Sequence, residues 1–366
     1  MRPFDVSKFR KQISKSIPGL SVGFNDPRTW LSTGCYALNY LISNDFRKGI
    51  PLEGKFTMFA GDSGSGKSYI TSANMVRDCQ KQDIWPVLID TENALDESWL
   101  NALGVDTDEN SMEKVCGATV DDVTKYMLDF IDNYKEANDH KPYGDRPKVL
   151  IIIDSLGMLI TPTNIAQAQE GDMKGDMGIK AKQITQMMRV VMAKMASQPI
   201  GLVATNHVMD SQDKYQPDKI PGGKMLEFAS SVIVQMNKYL LKEDEDGKAL
   251  AGGAVAGIRS TAVVRKSRYA KPFERIKIDI PYDRGMNAYS GLFELFEKKG
   301  VVQKDGARYT YTSPETGEIF KDWRKNFRKE GILDLIMEEW DHWENPSVPL
   351  GVDEVDGDEG DETSVA

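Results

Sequence analysis

Cysteine is scarce in this chain. Cys35, Cys79 and Cys116 are the three among 366 residues, too few and too scattered for a disulfide framework or a zinc site. Unpaired thiols in a reducing, cytoplasmic compartment are therefore expected. Long apolar runs are missing too: no stretch approaches the ~20 residues of a membrane span, and the N-terminus has no apolar signal-peptide core. A soluble protein with no membrane partner is the expectation. No internal repeat is visible. A basic excess is also absent, since 46 Lys and Arg stand against 56 Asp and Glu for a net charge of −10. That balance argues against a polyanion as partner, but it is unevenly spread. The last fourteen residues, DEVDGDEGDETSVA, hold seven acids and no base, which leaves −10 + 7 = −3 for the rest. Such a tail reads as disordered. A nearly neutral body can still present a basic channel.

What is present begins with GDSGSGKS, residues 61–68, which fits the phosphate-cradling pattern G-x-x-x-x-G-K-[ST] at every fixed position. Glycines let backbone N–H groups turn toward phosphate oxygens at a helix N-terminus, where the helix dipole favours negative charge. The whole loop, Gly61, Asp62, Ser63, Gly64, Ser65, Gly66, Lys67 and Ser68, with Tyr69 behind it, is the candidate nucleotide cradle. Lys67 is expected at the β- and γ-phosphates and Ser68 at Mg²⁺. FTMFA (56–60) reads as the strand before this loop and residues 68–80 as the helix after it.

Beyond the loop, short apolar runs alternate with helical stretches. PVLIDTE (86–92), KVLIIIDS (148–155) and IGLVATNH (200–207) read as strands, with helices near 119–137 and 179–197. This rhythm predicts an α/β fold with a parallel sheet buried on both faces. Then strands follow without helices, at 230–241, 259–268 and 274–282, as an antiparallel extension. Residues 1–29 read as an amphipathic helix and linker, with Val6, Phe9 and Ile13 on one face. The core is expected over 30–289, a small α+β domain over 290–345, and the acidic tail over 346–366.

Three strand ends carry candidate chemistry. Asp154 closes VLIII and is expected to hold Mg²⁺ through water. Glu92 closes PVLIDTE and is the expected base that polarises a water in line with the γ-phosphate, with Asp90 on the same face as the alternative. His207 closes LVATNH, where it could sense the terminal phosphate. Two segments, 163–183 and 207–225, are polar, Gly-interrupted and too long for ordinary connections. Their basic residues, with Met177 and Tyr215 as wedges, suit gripping a nucleic-acid strand.

Seven separate stretches in order carry a resemblance: GDSGSGKS, LIDTENALDESWLNALGVD (88–106), IIIDSLGMLITP (151–162), DMGIKAKQITQMMR (176–189), PGGKMLEFASS (221–231), VVRKSRYAKPF (263–273) and YDRGMNAYSGLFEL (282–295). Over about 30–296 the chain resembles the RecA family of ATP-dependent recombinases, and most closely its phage UvsX-type branch. The resemblance implies a RecA-like P-loop ATPase core using ATP and Mg²⁺, with Glu92 as hydrolytic base and Asp154 as the Mg²⁺-linked aspartate. It places Asp96 and Trp99 at the adenine and His207 where γ-phosphate is coupled to the second loop. Residues 163–183 become the first DNA-binding loop, with Met177, Lys182 and Arg189 at the strand. Residues 207–225 become the second, with Gly222, Gly223 and Lys224 at the strand and Tyr215 as the wedge. Lys266 and Arg268 fall on the two basic positions that reach a neighbouring subunit's γ-phosphate. The implied partners are single- and double-stranded DNA, further copies of the chain in a helical filament, a single-strand DNA-binding protein and a recombination mediator, in the host cytoplasm if phage-encoded. A hexameric RecA-fold helicase is the alternative implied activity.

Overall fold

The computed structural model describes residues 7–9, 12, 26–171, 178–209, 218–243, 248–283, 285–328 and 330–344. The chain divides after Leu295 into two units. Of the expected N-terminal helix, residues 7–9 and 12 are described, and they are helical and exposed. The acidic tail lies outside the described residues.

The first unit opens with a two-stranded ribbon, β1 (Trp30–Leu31) and β2 (Ile50–Pro51), around helix α1 (Tyr36–Ser43). β3 (Phe56–Gly61) leads into the phosphate loop, and a helix follows, first in wide π-type turns over Tyr69–Met75 and then as α2 (Val76–Lys81). Next come β4 (Ile84–Asp90), α3 (Glu97–Ala102), β5 (Glu113–Cys116), α4 (Val120–Asn138) and β6 (Lys148–Asp154). They are followed by α5 (Pro162–Gln169), α6 (Ile179–Met195), β7 (Ile200–Asn206), α7 (Lys224–Ala229), β8 (Val232–Leu241), β9 (Gly257–Ser267) and β10 (Arg275–Pro281). The sheet has eight strands in the order β10-β9-β8-β3-β7-β6-β4-β5. Pairings from β8 through β5 are parallel, and β8-β9 and β9-β10 are antiparallel. The expected α/β core with an antiparallel extension is thus observed.

Every residue of β3 and β7 is buried. That is the consequence of helices on both faces of a parallel sheet, and it is why these strands read as unbroken apolar runs rather than alternating ones. On one face α4 contributes Val120, Val123, Met127 and Ile131, and α6 contributes Ile184, Met187, Met188, Val191 and Met195. Both sets recur at three- and four-residue spacing, one stripe per helix. Each such side chain stabilises the fold by about 1.5–3 kcal/mol on burial. The stripe on α6 fixes its other face outward, toward the second of the two sites below.

One expectation needs correction. The segment 163–183 reads as one polar, Gly-interrupted connection, but its start is α5, whose Thr161 and Asn164 form a reciprocal capping box with Pro162 at the first helical position. A cap and a fixed proline φ nucleate a helix that polar composition alone hides.

The second unit contains a three-stranded antiparallel sheet of β11 (Gln303–Asp305), β12 (Arg308–Thr312) and β13 (Ile319–Asp322). Helices α8 (Arg324–Phe327), α9 (Glu330–Glu338) and α10 (Trp340–Glu344) follow. Phe327, Leu333, Ile336 and Tyr311 are buried there. Buried Glu339 accepts hydrogen bonds from the hydroxyls of Tyr311 and Ser313. An α+β unit is what the sequence predicts, with a third strand in place of a simple hairpin.

Candidate functional site

The phosphate loop is shaped by glycine. Gly66 has φ +94°, a conformation that strains any other residue, and a Cβ there would fall 2.6 Å from the tip of the Ile280 side chain, which would have to shift. Lys67 is buried, and its ammonium donates to the carbonyls of Gly61 (2.9 Å) and Asp62 (2.7 Å). Burial lowers its pKa, while the carboxylates of Asp154, Glu92 and Asp62 act to restore it. Ser65 is fully buried and its hydroxyl has no hydrogen-bond partner among the described residues. A cradle with an unsatisfied hydroxyl and a buried cation fits an entering polyphosphate, which would satisfy the first and neutralise the second.

Two strand tips aim carboxylates at this loop. Asp154 is buried at the end of β6 and accepts from the hydroxyls of Ser72 (2.9 Å) and Thr205. These two side chains orient the carboxylate and were not anticipated from the sequence. Among the described residues no group of three or more His, Cys, Asp and Glu could hold a metal by itself. The donor set fits Mg²⁺ held jointly by Ser68, Asp154 through water, and phosphate oxygens, the way this hard and well-hydrated ion is usually bound.

Glu92 follows β4 and remains about one-third exposed, so solvent water has access to it. Its Oε1 accepts from Ser155 Oγ at 2.8 Å, and His207 Nε2 stands 3.5 Å from the same oxygen. Asp90, the alternative base, is buried and fully engaged. Its carboxylate accepts the backbone N–H groups of Glu92, Ala94 and Leu95 and pairs with Lys114 at 3.3 Å. Asp90 therefore builds the turn that presents Glu92.

Beside the loop lies a cavity of about 510 Å³ lined by Gly64, Gly66, Lys67, Ser68, Tyr69, Trp99 and, on its far wall, Ile280, Pro281, Tyr282 and Asp283. Tyr69 and Trp99 meet edge to face with ring centroids 6.5 Å apart. Tyr69 also accepts from the backbone N–H of Met286 at 3.1 Å, which ties the loop helix to the 282–287 segment. Tyr282 is 70% exposed at the cavity mouth. A flat aromatic there and Trp99 within suit a purine base. Tyr282 was missed: the sequence puts an aromatic at the end of the expected strand 274–282 but does not bring that end to the cradle. Asp96 does not line the cavity but caps α3, which carries Trp99. It accepts from Trp99 N (3.0 Å) and Ser98 Oγ, and these hydrogen bonds, the Ser98 hydroxyl first, hold its carboxyl below the usual range.

A second concave surface gathers residues from the two expected DNA loops. Ala181, Lys182, Thr185, Gln186 and Arg189 of α6 meet Gly223 around a cavity of about 410 Å³. Lys182, Gln186 and Arg189 are exposed on the face of α6 opposite its buried stripe. Gly222 and Gly223 have φ of +102° and +86°, and Lys224 begins α7 beside them. Met177 and Tyr215 lie outside the described residues.

Lys266 and Arg268 are far from this chain's own phosphate loop. Lys266 pairs with Ile233, which pairs with Met58, and Arg268 N bonds Ser231 O, level with Phe56 at the start of β3. The loop follows β3 at its other end. With ~3.3 Å per residue along a strand and ~4.8 Å between strands, the separation is on the order of 20 Å. Lys266 Nζ instead donates to the carbonyls of Glu227 (2.6 Å) and Phe228 (3.3 Å) at the end of α7.

A phosphate loop after a buried strand, carboxylates at the two neighbouring strand tips, and a mostly parallel sheet define a P-loop nucleotide-binding core. The RecA N-terminal domain family matches residues 25–287, and the chain belongs to the RecA family. Protein RecA of Arthrobacter sp. (strain FB24) is 26% identical over 339 residues, 91% of this chain and 88% of that protein. Protein RecA of Oleidesulfovibrio alaskensis is 26% identical over 295 residues, 80% of this chain and 76% of that protein. Protein RecA of Streptomyces coelicolor is 27% identical over 310 residues, 84% and 74% of the two chains.

Proposed function

We propose that this chain is an ATP-dependent DNA recombinase that assembles head to tail on single-stranded DNA and exchanges strands with a homologous duplex. The observation that carries this reading is the separation of Lys266 and Arg268 from their own phosphate loop by on the order of 20 Å of sheet. Two basic residues that cannot serve their own nucleotide are available to a neighbour's. A subunit that lends cations at one end and holds the cradle at the other forms heterologous contacts, which give a ring or an open helix.

Mg²⁺-ATP would supply the transferable phosphoryl group and the charge that holds the boundary closed. Lys67 neutralises the phosphates, and the loop's backbone N–H groups orient them. Glu92, held by Ser155, accepts the proton of the attacking water. His207 stands within 3.5 Å of the same carboxylate oxygen and at the start of the second loop, where it links hydrolysis to nucleic acid. Lys182, Arg189, Gly222, Gly223 and Lys224 would contact the DNA backbone, while base pairing supplies sequence specificity. The reading extends to a cytoplasmic protein of the phage UvsX-type branch, working with a single-strand DNA-binding protein and a mediator.

Electron microscopy with single-stranded DNA and a non-hydrolysable ATP analogue tests the reading. Open helical filaments are expected. Closed rings would instead favour a hexameric helicase, and absence of any assembly would favour a nucleotide switch that does not act on DNA.

A further inference from the structure

We propose that Lys180 is a positioning residue that links the first DNA-binding helix to the catalytic carboxylate, through Gly157 and His207. The inference rests on the reading of the chain as a DNA-stimulated ATPase. It concerns how nucleic acid on α6 reaches Glu92, which is a different question from where either ligand binds.

Lys180 is the second residue of α6 and is half-buried. A cation in the first turn of a helix opposes the helix dipole, so that position needs another reason for a lysine. Here its ammonium donates to the carbonyl of Gly157, 23 residues earlier in the chain. Gly157 lies in a short turn, Leu156–Met158, directly after the Ser155 that holds Glu92. The far side of this turn is fixed: Ile160 N bonds Ala118 O at 2.9 Å and Val120 N bonds Ile160 O at 3.0 Å. Gly157 therefore responds to a pull from Lys180 mainly on the side that faces His207.

That side is in tight contact. A Cβ on residue 157 would fall 2.8 Å from His207 Cδ2 and 3.1 Å from Asn206 Oδ1, so the imidazole lies against the glycine with no space between them. His207 Nε2 is 3.5 Å from Glu92 Oε1, the oxygen that also accepts from Ser155. The path runs through three side chains, Lys180, His207 and Glu92, and one carbonyl, with every step a contact. At its other end α6 is a continuous helix of 17 residues whose outward face carries Lys182, Thr185, Gln186 and Arg189. When nucleic acid engages that face, a displacement of α6 carries the Gly157 carbonyl with it and changes the placement of His207 against Glu92.

The test measures ATP hydrolysis with and without single-stranded DNA, KM for ATP, and DNA affinity with a non-hydrolysable ATP analogue over a salt series. Lys180→Met should lower DNA-stimulated kcat about tenfold, within the ordinary range for coupling between sites. It should leave the unstimulated rate, KM, DNA affinity and salt slope unchanged, and Lys180→Arg should retain stimulation. Gly157→Ala acts from the opposite end, away from the DNA-facing residues, and should also lose stimulation at unchanged DNA affinity. If Lys180→Met weakens DNA binding and reduces the salt slope by about 0.7, Lys180 is a phosphate contact and the inference fails. Full stimulation in both Lys180→Met and Gly157→Ala would overturn it equally. A wild-type chain without any DNA stimulation would refute the ATPase reading itself, which separates the two failures.

Discussion

The nucleotide cradle and the proposed nucleic-acid surface would both meet phosphate, yet they are built in opposite ways. In the cradle, Lys67 and Asp154 are 7% and 5% exposed, the first held by loop carbonyls and the second by the hydroxyls of Ser72 and Thr205. On the second surface, Lys182, Arg189 and Lys224 are exposed, carried on helix faces beside two glycines with positive φ. A charge excluded from water interacts strongly over a few ångströms but must be placed accurately, whereas an exposed one is screened and acts mainly by number. Chemistry at the γ-phosphate needs the first arrangement. Tracking a polyanion in any sequence needs only the second, and it keeps the contact reversible.

The sharpest break in that comparison comes from the cradle. Glu92→Gln removes the proposed base but not the phosphate contacts, so kcat should fall by about 10²–10⁴ while ATP-dependent DNA binding persists. Lys67→Ala removes phosphate binding, so both activities should be lost. Measuring hydrolysis and DNA binding side by side decides the matter: equal loss of DNA binding in the two variants would count against Glu92 as the base.

A somewhat smaller effect is expected at the subunit boundary. Lys266→Ala should leave nucleotide binding by the isolated subunit intact and lower DNA-stimulated hydrolysis by about 10²-fold, the scale of one lost charge-stabilising donor. Mixing it with Glu92→Gln should restore some turnover, because an intact Glu92 then meets an intact Lys266 at some boundaries. No rescue at any mixing ratio, with co-assembly confirmed, would place both residues in one subunit's cycle. Because Lys266 also holds the end of α7, Lys266→Arg is the companion variant, and it should keep part of both functions.

Weaker still are single changes on the exposed surface. Lys182→Ala and Arg189→Ala should each reduce DNA affinity only several-fold and lower the slope of log affinity against log salt by about 0.7, the value for one single-strand phosphate contact. ATP hydrolysis without DNA should not change. An unaltered salt slope in both variants would remove α6 from the DNA interface.

Much of the cradle was legible because its signals are local. Eight letters define the loop, and strand alternation puts Glu92 and Asp154 at neighbouring tips. The choice between Glu92 and Asp90 was only a preference in the sequence, because both share a face. It becomes physical once Asp90 is seen to bind three backbone N–H groups of the turn. The orienting hydroxyls of Ser72 and Thr205 were not legible, since they lie 82 and 51 residues from Asp154 and depend on strand order. Neither was Tyr282, which reaches the cavity only because β10, antiparallel to β9, runs the same way as β3 and ends at the loop's end of the sheet. α5 was hidden for a different reason. Its composition is polar throughout, and the start signal Thr161-Pro162-Thr163-Asn164 was outweighed by the glycines downstream.

The smallest predicted effect concerns pH, and it sharpens the contrast between buried and exposed cations. Burial lowers the pKa of Lys67 from the usual lysine value of 10.5, with Asp154, Glu92 and Asp62 opposing the shift. In the folded protein the ammonium is therefore lost at lower pH than in the unfolded chain. The stability cost of the buried charge is present in full below the lowered pKa and disappears as pH rises from that value to the unfolded one. Nucleotide binding has the opposite dependence, because the phosphates need the ammonium. Affinity for a non-hydrolysable ATP analogue should be flat near neutrality and fall as pH rises through the lowered pKa, with a slope no steeper than about tenfold per unit for one proton. Lys67→Arg keeps its charge throughout this range and should flatten the dependence, even if its absolute affinity is reduced by its different shape. The measurement is nucleotide titration between pH 7.5 and about 10 for wild type and Lys67→Arg, over which the lowered lysine pKa takes effect before the ordinary one. A wild-type profile as flat as that of Lys67→Arg would mean that the cradle's carboxylates fully offset the burial of Lys67.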